Sequence, residues 1–143
     1  MSEKKVYFIH PSITYHSKTE RFCLKLIKSE LGEEIEIINS GDIGIERVRR
    51  WKEDIMGIDA VVGMALEDKY TISVWTVMEY AESLKKDIYT IRIGETSFKW
   101  EKGILKDVKK LSLDETRKFT RDITMGDTKH AIMGLLFGRR SKY

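Results

Sequence analysis

Short apolar runs and longer amphipathic stretches take turns along this chain. Val6-Tyr7-Phe8-Ile9-His10 is an apolar run with a polar end, which predicts a buried first strand. Ser17-Lys18-Thr19-Glu20 has the capping-box pattern and starts a helix to about Leu31. Within it Cys23, Ile27 and Leu31 recur at helical spacing, with Leu24 and Leu26 beside them, and Gly32 stops the helix. Residues 34–38 alternate polar and apolar and predict a second strand, after which Ser40-Gly41-Asp42 turns the chain. A helix is predicted near Ile45 to Met56, with Ile45, Val48, Trp51 and Ile55 on or near one side. Ala60 to Ala65 is the third strand, about Thr71 to Lys85 the next helix, and Asp87 to Ile93 the fourth strand.

Strands separated by helices of this length imply right-handed crossovers and a parallel sheet. The expected architecture is a single α/β domain, flavodoxin-like, with a five-stranded, mainly parallel sheet of order 2-1-3-4-5 flanked by helices. The fifth strand is assigned to Val108–Leu111, with Ser97–Trp100 a short extended piece before a turn at Glu101-Lys102-Gly103. From about residue 112 the chain turns helical. Ser112-Leu113-Asp114-Glu115 is a second capping box, for a helix to about Ile123. Asp127 caps a final helix through Ala131, Ile132, Leu135 and Leu136, stopped at Gly138, and Arg139 to Tyr143 form a solvated basic tail or a patch for an acidic partner.

Composition narrows the class of function. A length of 143 residues suits one domain with a real core, and no apolar run approaches the ~20 residues that span a bilayer. The N-terminus leads straight into a strand without a signal-peptide core, and the one cysteine, Cys23, is a buried small hydrophobe. Both features point to a cytoplasmic protein. A net charge of +3, spread among acids, argues against nucleic acid as a partner and leaves small molecules and further copies of the chain. There is no Gln and one Asn, Asn39, a depletion of thermolabile amides that suits a thermophilic source.

Chemistry is sought at the carboxyl edge, where such sheets bind ligands. The loop after strand one holds Ser12, Tyr15 and His16, and the loop after strand three holds Glu67, Asp68 and Tyr70. Hydroxyls, phenols and carboxylates together suit a ribose and a flat base. GxGxxG after strand one, GxxxxGK[ST], GxSxG and any zinc spacing are all absent, and the histidines are read as structural or exposed, so no metal site is expected. Glu79 lies opposite the stripe formed by Val74, Val77, Met78, Ala81 and Leu84. It is therefore either an ordinary solvated acid or a cleft-wall carboxylate. Trp75, one turn earlier on the same side, is costly to leave in water, so a neighbouring loop or a second subunit is expected to cover it, or else it fills the core at the helix edge.

Ser73, Trp75 and Glu79 stand in the register Ser-x-Trp-x-x-x-Glu, which resembles the glutamate motif of TIR-type domains, with Thr76 where many of those carry Cys. Thr76 and Glu79 also resemble the Gly-Thr-x-x-Glu of nucleoside 2-deoxyribosyltransferases, with Trp75 in place of the Gly. The similarity spans about residues 5–93. It implies an enzyme that cleaves or transfers an N-glycosidic bond in NAD or a nucleoside, with Glu79 as nucleophile or oxocarbenium stabiliser. Ser12, Tyr15, Asp68, Ser73 and Trp75 would bind the substrate. NAD would be a substrate, and no cofactor is implied. The alternative is a non-catalytic TIR-like module that binds a nucleotide or self-assembles.

Overall fold

The computed structural model describes residues 4–125. The expected final helix from Asp127, the basic tail and His130 lie outside the described residues. Strand β1 spans Lys5–Ile9, β2 Glu36–Asn39, β3 Ala60–Leu66 and β5 Asp87–Ile93. These four are parallel in the order β2-β1-β3-β5, as the helix-strand alternation predicted. Helix α1 spans Lys18–Leu31, α2 Ile45–Arg49, α3 Trp51–Gly57, α4 Ile72–Ser83 and α5 Leu113–Met125.

Strand periodicity divides the core. Val6, Phe8, Val62 and Met64 point to one face of the sheet, where Cys23 and Ile27 of α1 and Ile123 of α5 meet them. Tyr7, Ile9, Val61 and Ala65 point to the other, against Ile55 of α3 and Val74, Val77, Met78 and Ala81 of α4. All seven residues of β3 are buried, which is why this strand reads as a near-continuous apolar run. Cys23 is fully buried, and burial pushes its thiol well above the ordinary range.

The fifth position differs in detail. β6, Phe98–Lys102, pairs antiparallel with β5 and forms the sheet edge beside it, so Glu101 and Lys102 belong to a strand and Gly103 (φ 91°) ends it. The stretch assigned to a fifth strand contributes β7, Lys109–Lys110, which runs parallel to β4 (Lys69–Tyr70) instead. β4 folds back on β3 through Glu67 and Asp68, both at positive φ, so the expected loop there is a tight hairpin. The predicted 45–56 helix is broken at Arg50 (φ −105°, ψ 30°), and Ile45 is exposed rather than packed. Leu84, placed on the core stripe by periodicity, is exposed because α4 ends at Ser83.

Both capping boxes form helix starts. Ser17 Oγ accepts from the Glu20 N–H at 3.1 Å, while the Glu20 carboxylate turns back to the His16 N–H. At α5 the box is reciprocal: the Ser112 N–H donates to Glu115 Oε1 and the Glu115 N–H to Ser112 Oγ. Among the described residues no helix is long and apolar enough to cross a membrane.

Candidate functional site

A cavity of about 260 Å³ opens at the carboxyl end of β1 and β2, on the α3/α4 side of the sheet. Tyr7 and Ile9 of β1 form its floor because odd positions of that strand face α4. Tyr15, from the loop after β1, and Trp51, at the start of α3, supply aromatic walls. Trp51 packs edge-on to Tyr80 at 5.3 Å, with Lys52 Nζ over both rings. Ser40, Ser73 and Thr76 bring hydroxyls, and Val48, Ile72 and Val77 complete the lining. None of these residues carries a formal charge at neutral pH. Burial, then the Asp54 charge, pushes the Tyr7 phenol up to about 12, so it stays neutral.

Behind Tyr15 lies a buried polar network centred on His10. Thr14 Oγ1 donates to Pro11 O at 2.6 Å and lies 2.6 Å from His10 Nδ1. Asn39 Oδ1 accepts from the Gly41 N–H, which fixes the amide's orientation, and it lies 2.8 Å from His10 Nε2. Each ring nitrogen of His10 thus lies within hydrogen-bond distance of a buried oxygen. Glu20 Oε2 lies 3.3 Å from Nε2. Burial raises the Glu20 carboxyl, but His10, Asn39 and the His16 N–H outweigh it and hold the group below its ordinary range. His10 in turn meets the Tyr15 ring edge-on at 5.0 Å.

The residues predicted for the site are only partly brought together. Tyr15 and Ser73 line the cavity. Ser12 is exposed at the start of the 3-10 turn Ser12–Thr14. Asp68 sits at the hairpin tip, largely exposed and bonded to Arg92 Nη1 at 2.8 Å. Arg92 also holds Asp107 and Glu101, and these partners, Asp107 first, push its guanidinium up. Trp75 is covered by the chain's own later segment, its indole N–H donating to Leu111 O at 2.7 Å. Glu79 is on the outer side of α4, 42% exposed and ion-paired with Lys110. Ser73 is within the helix rather than its cap. Thr71 is the N-cap, and the Ile72 N–H is held by Thr116 Oγ1 at 2.9 Å.

Sequence reasoning did not single out Tyr7, Ser40, Trp51, Thr76 and Val77 as site residues. Alternation in β1 already aimed Tyr7 at the α4 face. The convergence of Ser40 and Trp51, from different elements, leaves no local signal.

No family model matches the chain, and no curated protein matches it. Among solved structures, a 2-desoxiribosyltransferase from Leishmania mexicana is similar with a TM-score of 0.48 and 18% identity, over 62% of this chain and 64% of that one. The chain thus spans under two thirds of that protein's length, and a likeness at this level assigns no activity.

Proposed function

We propose that this chain is a binding domain for a small nucleoside-class molecule, held without cleavage in the cavity between β1, α3 and α4. The observation that supports this is the α4 wall: it presents Ser73, Thr76 and Val77, while the helix's acid, Glu79, is occupied outside by Lys110. A carboxylate beside the developing oxocarbenium charge is the usual means of breaking a glycosidic bond. The cavity lining offers hydroxyls and aromatic rings but no carboxylate. A volume of about 260 Å³ is just under the ~300–1,000 Å³ of pockets for drug-sized ligands, which suits a base or a nucleoside better than a whole dinucleotide. Aromatic walls give a flat heterocycle its contact area, and the three hydroxyls suit a sugar's donors and acceptors.

The glycosidic reading, with NAD or a nucleoside as substrate and Glu79 as nucleophile, ranks second. Its support is the register of Ser73, Trp75 and Glu79, and it requires Glu79 to exchange Lys110 for a ligand. The two readings separate in one experiment. The chain is titrated with nucleosides, free bases and NAD, following Trp fluorescence, and each mixture is then assayed for released base. Saturable binding without base release, abolished by Thr76→Phe and untouched by Glu79→Gln, is the expected result. Base release lost in Glu79→Gln would establish the enzyme, and an absence of binding across all three classes would refute the ligand class. Glu79→Gln removes only a surface ion pair, so its cost in stability is below about 1 kcal/mol.

A further inference from the structure

We propose that His16, Glu20 and Asp42, which the cavity does not use, form a binding site for a divalent transition-metal cation. Their candidate ligand atoms all lie within 4.8 Å of one another. A cation about 2.0–2.2 Å from each donor needs donors no more than about 4.4 Å apart, twice the longer bond. Small rotations of the two exposed side chains, His16 and Asp42, close that difference. Glu20 needs no such movement because its carboxylate is already fixed: it is 4% exposed, and its Oε1 takes the His16 N–H at 3.1 Å.

The independent sign of a ligand is the other oxygen of Glu20. Oε2 is buried and has no hydrogen-bond partner. His10 Nε2 is 3.3 Å away and sits closer, at 2.8 Å, to Asn39 Oδ1. An ionised oxygen left without a donor in a buried setting is expensive. Oε2 faces the turn that carries Asp42: a Cβ on Gly41 would stand 2.2 Å from it. The absence of a side chain at Gly41 is what keeps that approach open. Asp42 is oriented too, its Oδ2 accepting from Asn39 Nδ2 at 3.0 Å.

The donor set selects the cation. One imidazole with two carboxylates suits zinc, cobalt or manganese better than the all-oxygen surroundings that calcium and magnesium prefer. Two carboxylates supply the negative charge, and the exposed positions of His16 and Asp42 leave room for water ligands. A cation there would tie His16 to the β2 turn and so fix the neighbouring Tyr15, whose ring walls the cavity. The inference does not depend on which molecule the cavity takes.

The test is titration of the tag-free, chelator-treated full chain with Zn²⁺ by calorimetry and with Co²⁺ by visible absorption. One cation per chain is expected, with a cobalt d–d band. His16→Ala and Asp42→Asn each weaken binding by about tenfold or more. Both residues are exposed, so both variants should keep the wild-type circular dichroism. His130→Ala should bind as the wild type does. No binding of either cation at millimolar concentration would overturn the proposal, as would affinity unchanged in both variants or lost in His130→Ala.

Discussion

Removing the Tyr70 hydroxyl tests whether the segment after β6 is held by a directional relay. The Leu105 N–H donates to Tyr70 Oη at 2.9 Å, the Tyr70 O–H to Thr90 Oγ1 at 2.7 Å, and the Thr90 O–H to Gly103 O at 2.8 Å. The order is forced, because a carbonyl only accepts and an amide N–H only donates. Tyr70 and Thr90 are both fully buried, and burial is the first cause of the raised Tyr70 pKa. Tyr70→Phe leaves the Leu105 N–H without its acceptor, at a cost of about 1–3 kcal/mol. Thr90→Val is close to isosteric but strands the Tyr70 proton, at a similar cost. In the double variant the Tyr70–Thr90 bond is lost only once and no hydroxyl is left buried without a partner. Its total cost should therefore fall short of the sum by about 1 kcal/mol, within the ~0.5–3 kcal/mol seen for coupled neighbours. Urea unfolding of the four proteins measures this. Additivity within about 0.3–0.5 kcal/mol would refute the relay.

Two other outcomes are expected. Gly63→Ala puts a Cβ 2.3 Å from Met78 Sδ, and Met78 is fully buried, so the variant should lose about 1–3 kcal/mol in denaturant unfolding and recover part of it with Met78→Ala; a neutral Gly63→Ala would show that α4 is not pressed on β3 as described. The Tyr7 phenol at about 12 in the fold, against ~10 unfolded, means the native state keeps a proton the unfolded chain gives up, so stability declines as pH rises from ~10 through ~12. Absorbance at 295 nm against circular dichroism tests this, and all six tyrosines ionising near pH 10 in a still-folded chain would contradict it.

Local pattern carried the elements of this protein because the signals are short-range. Period-two alternation in β1 sorts Val6 and Phe8 from Tyr7 and Ile9, and the serine-to-glutamate spacings at Ser17 and Ser112 fix two helix starts from four residues each. The apolar run of β3 between helices was enough to place the parallel strands. Where the elements meet was decided by the tertiary structure. A hairpin at Glu67-Asp68 carries Asp68 to Arg92, and the strand at Lys109–Lys110 joins the sheet beside β4 rather than beside β5, which brings Lys110 to Glu79 and Leu111 to the Trp75 indole. Trp75 announced from sequence that it needed cover, since a large apolar surface is costly in water, but a segment 36 residues later supplies it. Helix periodicity gives Glu79 a direction, outward from the core. It cannot say whether a cavity or a lysine waits there, because that depends on chain distant in sequence and packed only once the fold is complete.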